Sequence, residues 1–122
     1  NRRQIASRYL REIKNESIIL PLPYNNAVSY VENKEHVWHL FVIRHSKRDE
    51  LQEYLSQNGI ETLIHYPIPP NKQLAYKEFN VLDFSITNTI HQEALSLPIS
   101  PVLTESEVNK VIKAINSFKE YN

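Results

Sequence analysis

The chain has 122 residues, enough for one domain with a real core, and its 14 Lys and Arg balance 14 Asp and Glu. That balance gives no basic field for nucleic acid. The absence of cysteine removes disulfides, thiolate metal sites and cysteine nucleophiles, and no apolar run approaches a membrane span.

The opening stretch, NRRQIASRYLREIK, sets Ile5, Tyr9, Leu10 and Ile13 on one side at helical spacing, which predicts an amphipathic helix over roughly residues 1–15. Two prolines and the Asn25-Asn26 pair then predict an extended connection with a turn. HVWHLFVIR, residues 36–44, is β-branched and aromatic on both faces, so it is expected as a central strand covered on both sides. Ser46 stands three residues before Asp49 and reads as a capping box for a helix with the stripe Leu51, Tyr54 and Leu55. Gly59 is the only glycine and is placed where a left-handed residue would end that helix. IETLI follows as a short strand. Ile86, Ile90 and Ala94 share a helical face, and LSLPI reads as an edge or exit strand because of Pro98. Thr104 and Glu107 form a second capping box before Val108, Val111, Ile112, Ile115 and Phe118, the cleanest amphipathic pattern in the chain. The order predicts one small α/β (α+β) domain over residues 1–122, a few strands with helices packed on them.

Between these elements lies IHYPIPPNKQLAY, residues 64–76, which is neither a regular helix nor an uninterrupted strand. Two readings stand. Pro67, Pro69 and Pro70 stiffen a crossing connection braced by Tyr66 and Tyr76, or the same rigidity holds His65, Tyr66, Asn71, Lys72 and Gln73 for a polar ligand. The histidines do not form a metal site by pattern: His36 and His39 are an odd spacing apart on a strand, and His45 lies beside Arg44 and Lys47. No serine has the setting of a hydrolase nucleophile. With a single glycine there is no glycine-rich phosphate loop, and with no methionine the chain is expected to be part of a longer one.

In order, HVWHLFVIR, RDELQEYLSQNGIETLIHYPIPPNKQLAY and EALSLPISPVLTESEVNKVIKAI closely resemble the C-terminal domain of the DegT/DnrJ/EryC1/StrS sugar-nucleotide aminotransferases. The resemblance implies the small domain of the type I pyridoxal-phosphate transferase fold, with a mostly antiparallel sheet. It implies a parent that is a cytoplasmic homodimer, using pyridoxal phosphate to move an amino group from glutamate to a nucleotide-linked keto-sugar, such as a dTDP-3-keto-6-deoxyhexose. The Schiff-base lysine then belongs to a large domain outside this chain, so no catalytic residue is expected here, the isolated chain is expected to be inactive, and it is not expected to bind the cofactor. His65, Tyr66, Asn71, Lys72 and Gln73 are expected along the substrate, although relatives often carry histidine where this chain has Asn71, which can hydrogen-bond but cannot be a cation. The competing expectation is a non-catalytic ligand-binding or regulatory α/β module. The two differ in whether upstream sequence holds a cofactor region and its lysine.

Overall fold

The computed structural model describes residues 1–21 and 36–119. The turn expected at Asn25 and Asn26 lies outside them. The elements are α1 (Arg2–Glu12), β1 (Phe41–Arg44), α2 (Arg48–Gln57), α3 (Ser85–Glu93), β2 (Ala94–Leu97) and α4 (Glu105–Ser117), with two 3₁₀ segments, Pro70–Lys72 and Leu74–Phe79, between α2 and α3.

β1 and β2 pair antiparallel with Phe41 opposite Leu97, Val42 opposite Ser96 and Ile43 opposite Leu95. Single bridges extend the ladder on both sides, Ile19 to Arg44 and Leu63 to Ser96. The lateral order is therefore Ile19, β1, β2, Leu63. This corrects two expectations. β2 is flanked on both sides rather than at an edge, because Pro98 falls just beyond its last residue. IETLI contributes only its Leu63 bridge.

Directly opposed residues share a face. Phe41, Ile43, Leu95 and Leu97 are buried on one face, where they meet Ile5, Tyr9, Leu51, Leu55, Val108 and Ile115. Val42 and Arg44, on the other face, are only half-buried, so β1 is not covered equally on both sides. The strand also begins later than the sequence suggests. Trp38 has a φ of 52°, its N–H donates to His36 Nδ1 at 2.9 Å, and its ring stacks on Phe41 with centroids 5.4 Å apart. The chain turns there into the core instead of running straight.

α1 packs against α4, and the hydroxyl of its buried Tyr9 donates to the Pro98 carbonyl at 2.9 Å; burial pushes this phenol well above its ordinary pKa. Two asparagines close each helix end with the other. Asn116 Nδ2 donates to the Glu12 carbonyl at 2.9 Å, while Asn15 Nδ2 donates to the carbonyls of Ile115 and Phe118 at 2.8 and 3.0 Å. Carbonyls in the last turn of a helix are short of partners within it, and here the amides supply them.

α4 begins on the predicted capping box, with Thr104 and Glu107 bonded reciprocally. α2 does not. Its N-cap is Lys47, with no side-chain cap bond, and His45 Nδ1 instead accepts the Lys47 N–H at 3.0 Å. The helix starts one residue too late for Ser46 to cap it. Its other end is as predicted: Gly59 has φ +66°, its N–H donates to Ser56, and the Ile60 N–H donates to Leu55. This is the Schellman pattern, with Ile60 and Leu55 both buried. The apolar face predicted on α3 is largely uncovered, with Ile86 and Ile90 both exposed, and Ala94 belongs to β2.

Candidate functional site

The site is the segment 64–76 and the elements that hold it. Leu63 and Ser96 exchange backbone hydrogen bonds at 3.2 and 2.8 Å. Alternation along the chain then returns His65 to the face of Ser96 and Val42, away from the core. His65 Nδ1 lies 2.8 Å from Ser96 Oγ. The next residue, Tyr66, has φ +55°, a left-handed conformation unfavourable for a residue with a Cβ. Its carbonyl is met by His91 Nδ1 at 2.5 Å.

His91 sits in the last turn of α3, and that turn is clamped. Arg48 Nη1 donates to the Ala94 carbonyl at 2.9 Å. Arg44 donates through Nε and Nη2 to Glu93 Oε2 at 3.1 and 2.8 Å, and the His45 N–H donates to the Glu93 carbonyl at 3.1 Å. Two arginines thus fix the end of α3, α3 fixes His91, and His91 fixes the bend at Tyr66.

Beyond the bend, Pro69 is buried and Pro70 opens the first 3₁₀ segment. The Lys72 N–H donates to the Pro69 carbonyl at 2.9 Å, and the Gln73 N–H to that of Pro70 at 3.2 Å. Asn71 is only 8% exposed, and its Nδ2 reaches the Leu82 carbonyl at 3.5 Å. Gln73 Nε2 donates back to the Ile68 carbonyl at 3.3 Å. Asn71 therefore ties the segment to the chain before α3, and Gln73 ties it to itself. Tyr66 and Lys72 stand out of it: the tyrosine is 77% exposed, and the Lys72 ammonium has no ion-pair partner among the described residues.

The five expected residues do not converge on one hollow. His65 lines a depression of about 240 Å³ with His39, Glu61, Thr62, Ser96 and Ile99. Lys72 lines another of about 240 Å³ with Pro67, Pro69, Asn88, His91 and Gln92. The bend at Tyr66 separates them in the chain. A larger hollow, about 800 Å³, lies between α2 and α4 and shares Glu61, Thr62, Leu63 and Pro98 with the first. We favour the loop side for chemistry, because the Lys110 ammonium in the larger hollow is engaged by the Gly59 carbonyl at 3.2 Å. Sequence reading missed His39, Glu61, His91 and Ser96. Only the pairing of residue 63 with residue 96, and the clamp on α3, brings them to the loop.

A model of the DegT/DnrJ/EryC1/StrS aminotransferase family matches residues 1–116. The dTDP-3-amino-3,6-dideoxy-alpha-D-galactopyranose transaminase of Aneurinibacillus thermoaerophilus is 49% identical over 117 residues, covering 96% of this chain and 30% of that protein. Among solved structures, S. venezuelae DesV in complex with a ketimine intermediate is similar with a TM-score of 0.79 and 32% identity, over 94% of this chain and 30% of that one. NtdA from Bacillus subtilis, with bound cofactor PMP, is similar with a TM-score of 0.77 and 27% identity, over 93% of this chain and 26% of that one. The chain therefore spans between a quarter and a third of the length of these proteins.

Proposed function

The chain belongs to the DegT/DnrJ/EryC1/StrS aminotransferase family, and from that premise we propose that residues 1–122 are the C-terminal small domain of a longer, pyridoxal-phosphate-dependent enzyme. That enzyme moves an amino group from glutamate to a nucleotide-linked keto-sugar, a dTDP-3-keto-6-deoxyhexose. The observation that carries the proposal is the 49% identity over 117 residues with a dTDP-sugar transaminase. The loop adds a physical reason: it leaves Tyr66 and Lys72 open to a ligand while the Asn71 and Gln73 amides are spent on backbone carbonyls.

In this reading His65 and Tyr66 border the sugar and Lys72 meets the diphosphate, a charge-assisted contact. Asn71 and Gln73 hold the turn that presents Lys72. The residues of this chain do not fit the cofactor on their own. Its single glycine sits at a helix C-terminus, where the helix dipole is negative, and α2 and α4 carry Asp49, Glu50, Glu105 and Glu107 in their first turns. α3 starts between the exposed side chains of Phe84 and Ile86. The cofactor and its lysine belong to the rest of the longer protein, so the chain alone is inactive.

Apolar side chains between residues 74 and 90 support that arrangement. Leu74 is 82% exposed and Val81 87%, with Tyr76, Phe79, Leu82, Phe84 and Ile86 also exposed. So many large apolar side chains exposed within one short segment mark a surface that is covered in the assembled protein. Here the cover is the large domain and the second subunit of a homodimer. No helix among the described residues is long and apolar enough to cross a membrane, and the reading places the enzyme in the cytoplasm.

The test is turnover. The full-length enzyme with pyridoxal phosphate, glutamate and the keto-sugar nucleotide should yield 2-oxoglutarate and an amino-sugar nucleotide in equal amounts, and residues 1–122 alone should yield neither. Failure to aminate any keto-sugar nucleotide would refute the proposal.

A further inference from the structure

Ser96 is the one polar residue in the strand Ala-Leu-Ser-Leu, and it is only 5% exposed. A buried hydroxyl calls for a partner. Its backbone N–H and C=O are both taken by Leu63, and the contact described for its Oγ is His65 Nδ1 at 2.8 Å. His65 is the diagonal neighbour of Ser96 across the bridge, a distance that ring side chains span.

The proton between them is set by what each group can do. If Nδ1 carried a hydrogen, Oγ would accept it and its own hydroxyl proton would have no described acceptor in a buried place, which is costly. If Ser96 donates, Nδ1 is the unprotonated ring nitrogen and both groups are satisfied. The neutral ring must then carry its hydrogen on Nε2, at the opposite edge.

We propose that Ser96 is a positioning residue that holds His65 in the Nε2–H tautomer, so that His65 enters the depression it shares with His39 and Glu61 as a hydrogen-bond donor. The ligand atom it takes is an acceptor oxygen, a sugar hydroxyl or carbonyl. The ligand's identity rests on the proposed sugar-nucleotide reading; the tautomer does not. His91 serves as a reference with the opposite assignment. Its Nδ1 faces the Tyr66 carbonyl, which can only accept, so Nδ1 must carry hydrogen there.

The test is the ring-nitrogen NMR spectrum of the full-length enzyme labelled with ¹⁵N at histidine, recorded near pH 8, where an ordinary imidazole is neutral. His65→Gln and His91→Gln assign the signals. The wild-type spectrum should show hydrogen on Nε2 of His65 and on Nδ1 of His91, and hydrogen on Nδ1 of His65 would overturn the proposal whatever the activity. Ser96→Ala should mix the tautomers of His65, and Ser96→Thr, which keeps the hydroxyl, should restore the single form. In kinetics, Ser96→Ala should lower kcat/KM for the nucleotide sugar by about fivefold to tenfold, chiefly through KM. The double variant with His65→Ala should be no worse than His65→Ala alone, because the serine acts through the histidine. Independent, multiplicative losses would overturn the positioning role. A changed tautomer with unchanged kinetics would instead support the tautomer lock and remove His65 from the substrate site.

Discussion

The Lys110 ammonium donates to the Gly59 carbonyl at 3.2 Å, so α4 closes over the last turn of α2. A Cβ on residue 59 would stand 3.0 Å from Lys110 Nζ, a flexible tip that can move aside. The left-handed backbone cannot be relieved so easily. Gly59→Ala should therefore cost about 1–2 kcal/mol in a urea melt. A neutral result would show that α2 does not end in a left-handed turn.

Tyr66 poses the reverse case, a left-handed residue with a side chain. Its ring is largely exposed, so little burial is lost on truncation. Tyr66→Gly should leave stability unchanged or raise it by up to about 1 kcal/mol, the relief of φ strain being partly offset by glycine's freedom in the unfolded chain. Tyr66→Ala keeps the strain and should gain nothing. In the full-length enzyme both should lower kcat/KM, which separates a ring that meets substrate from one that braces the loop. Equal melting temperatures with parental kinetics would sink the assignment of Tyr66.

Lys72 is expected to act in binding and not in folding. Lys72→Ala should leave the melting temperature of the full-length enzyme unchanged and raise KM for the nucleotide sugar about tenfold, the loss of one charge-assisted contact. Asn71→Ala should act chiefly on folding, lowering stability by about 1 kcal/mol and raising KM less than Lys72→Ala does, because the amide is buried beneath the turn that presents the lysine. Steady-state kinetics beside thermal melts of the two variants decide the matter.

The start of the chain carries an acid-sensitive pair. Arg8 donates to Glu12 through Nε at 2.9 Å and Nη2 at 2.7 Å, and chiefly these bonds draw the Glu12 carboxyl down from 4.5 to about 2. A folded-state value below the unfolded one means that the ionised form favours the fold. The contribution is complete above about pH 4.5 and is lost as pH falls toward about 2. The pair is partly exposed, so its worth is under about 1 kcal/mol. Urea midpoints across that window should fall less steeply for Glu12→Gln than for the parent, and parallel curves would show the pair to be inert.

Local signals in the sequence were legible where a single residue does a single job. Thr104 with Glu107 caps α4, and Gly59 ends α2, because both act within one turn of backbone. The Ser46 box failed because α2 starts one residue later, with Lys47 at its N-cap and the Lys47 N–H taken by the His45 ring. β2 looked like an edge because Pro98 cannot donate, yet the proline falls just outside the ladder. The loop's chemistry was half legible. His65, Tyr66 and Lys72 stood out by type, while Ser96 and His91 act across 31 and 25 residues of chain, and no local period encodes such contacts. The apolar face of α3 was seen but misplaced, since its partner lies outside this chain in the reading proposed above.

The reciprocal asparagines fix when this domain can close during synthesis. Asn116 completes α1 from 104 residues away and Asn15 completes α4 from as far as 103 residues away. A ribosome adding roughly 5–20 residues per second leaves α1 waiting for several seconds with its last carbonyls open, long after a helix of its length could have formed. The end of α1 is not sealed until Asn116 has emerged, and a stop codon introduced just before Asn116 would leave the Glu12 carbonyl without its amide and take the Phe118 carbonyl from Asn15.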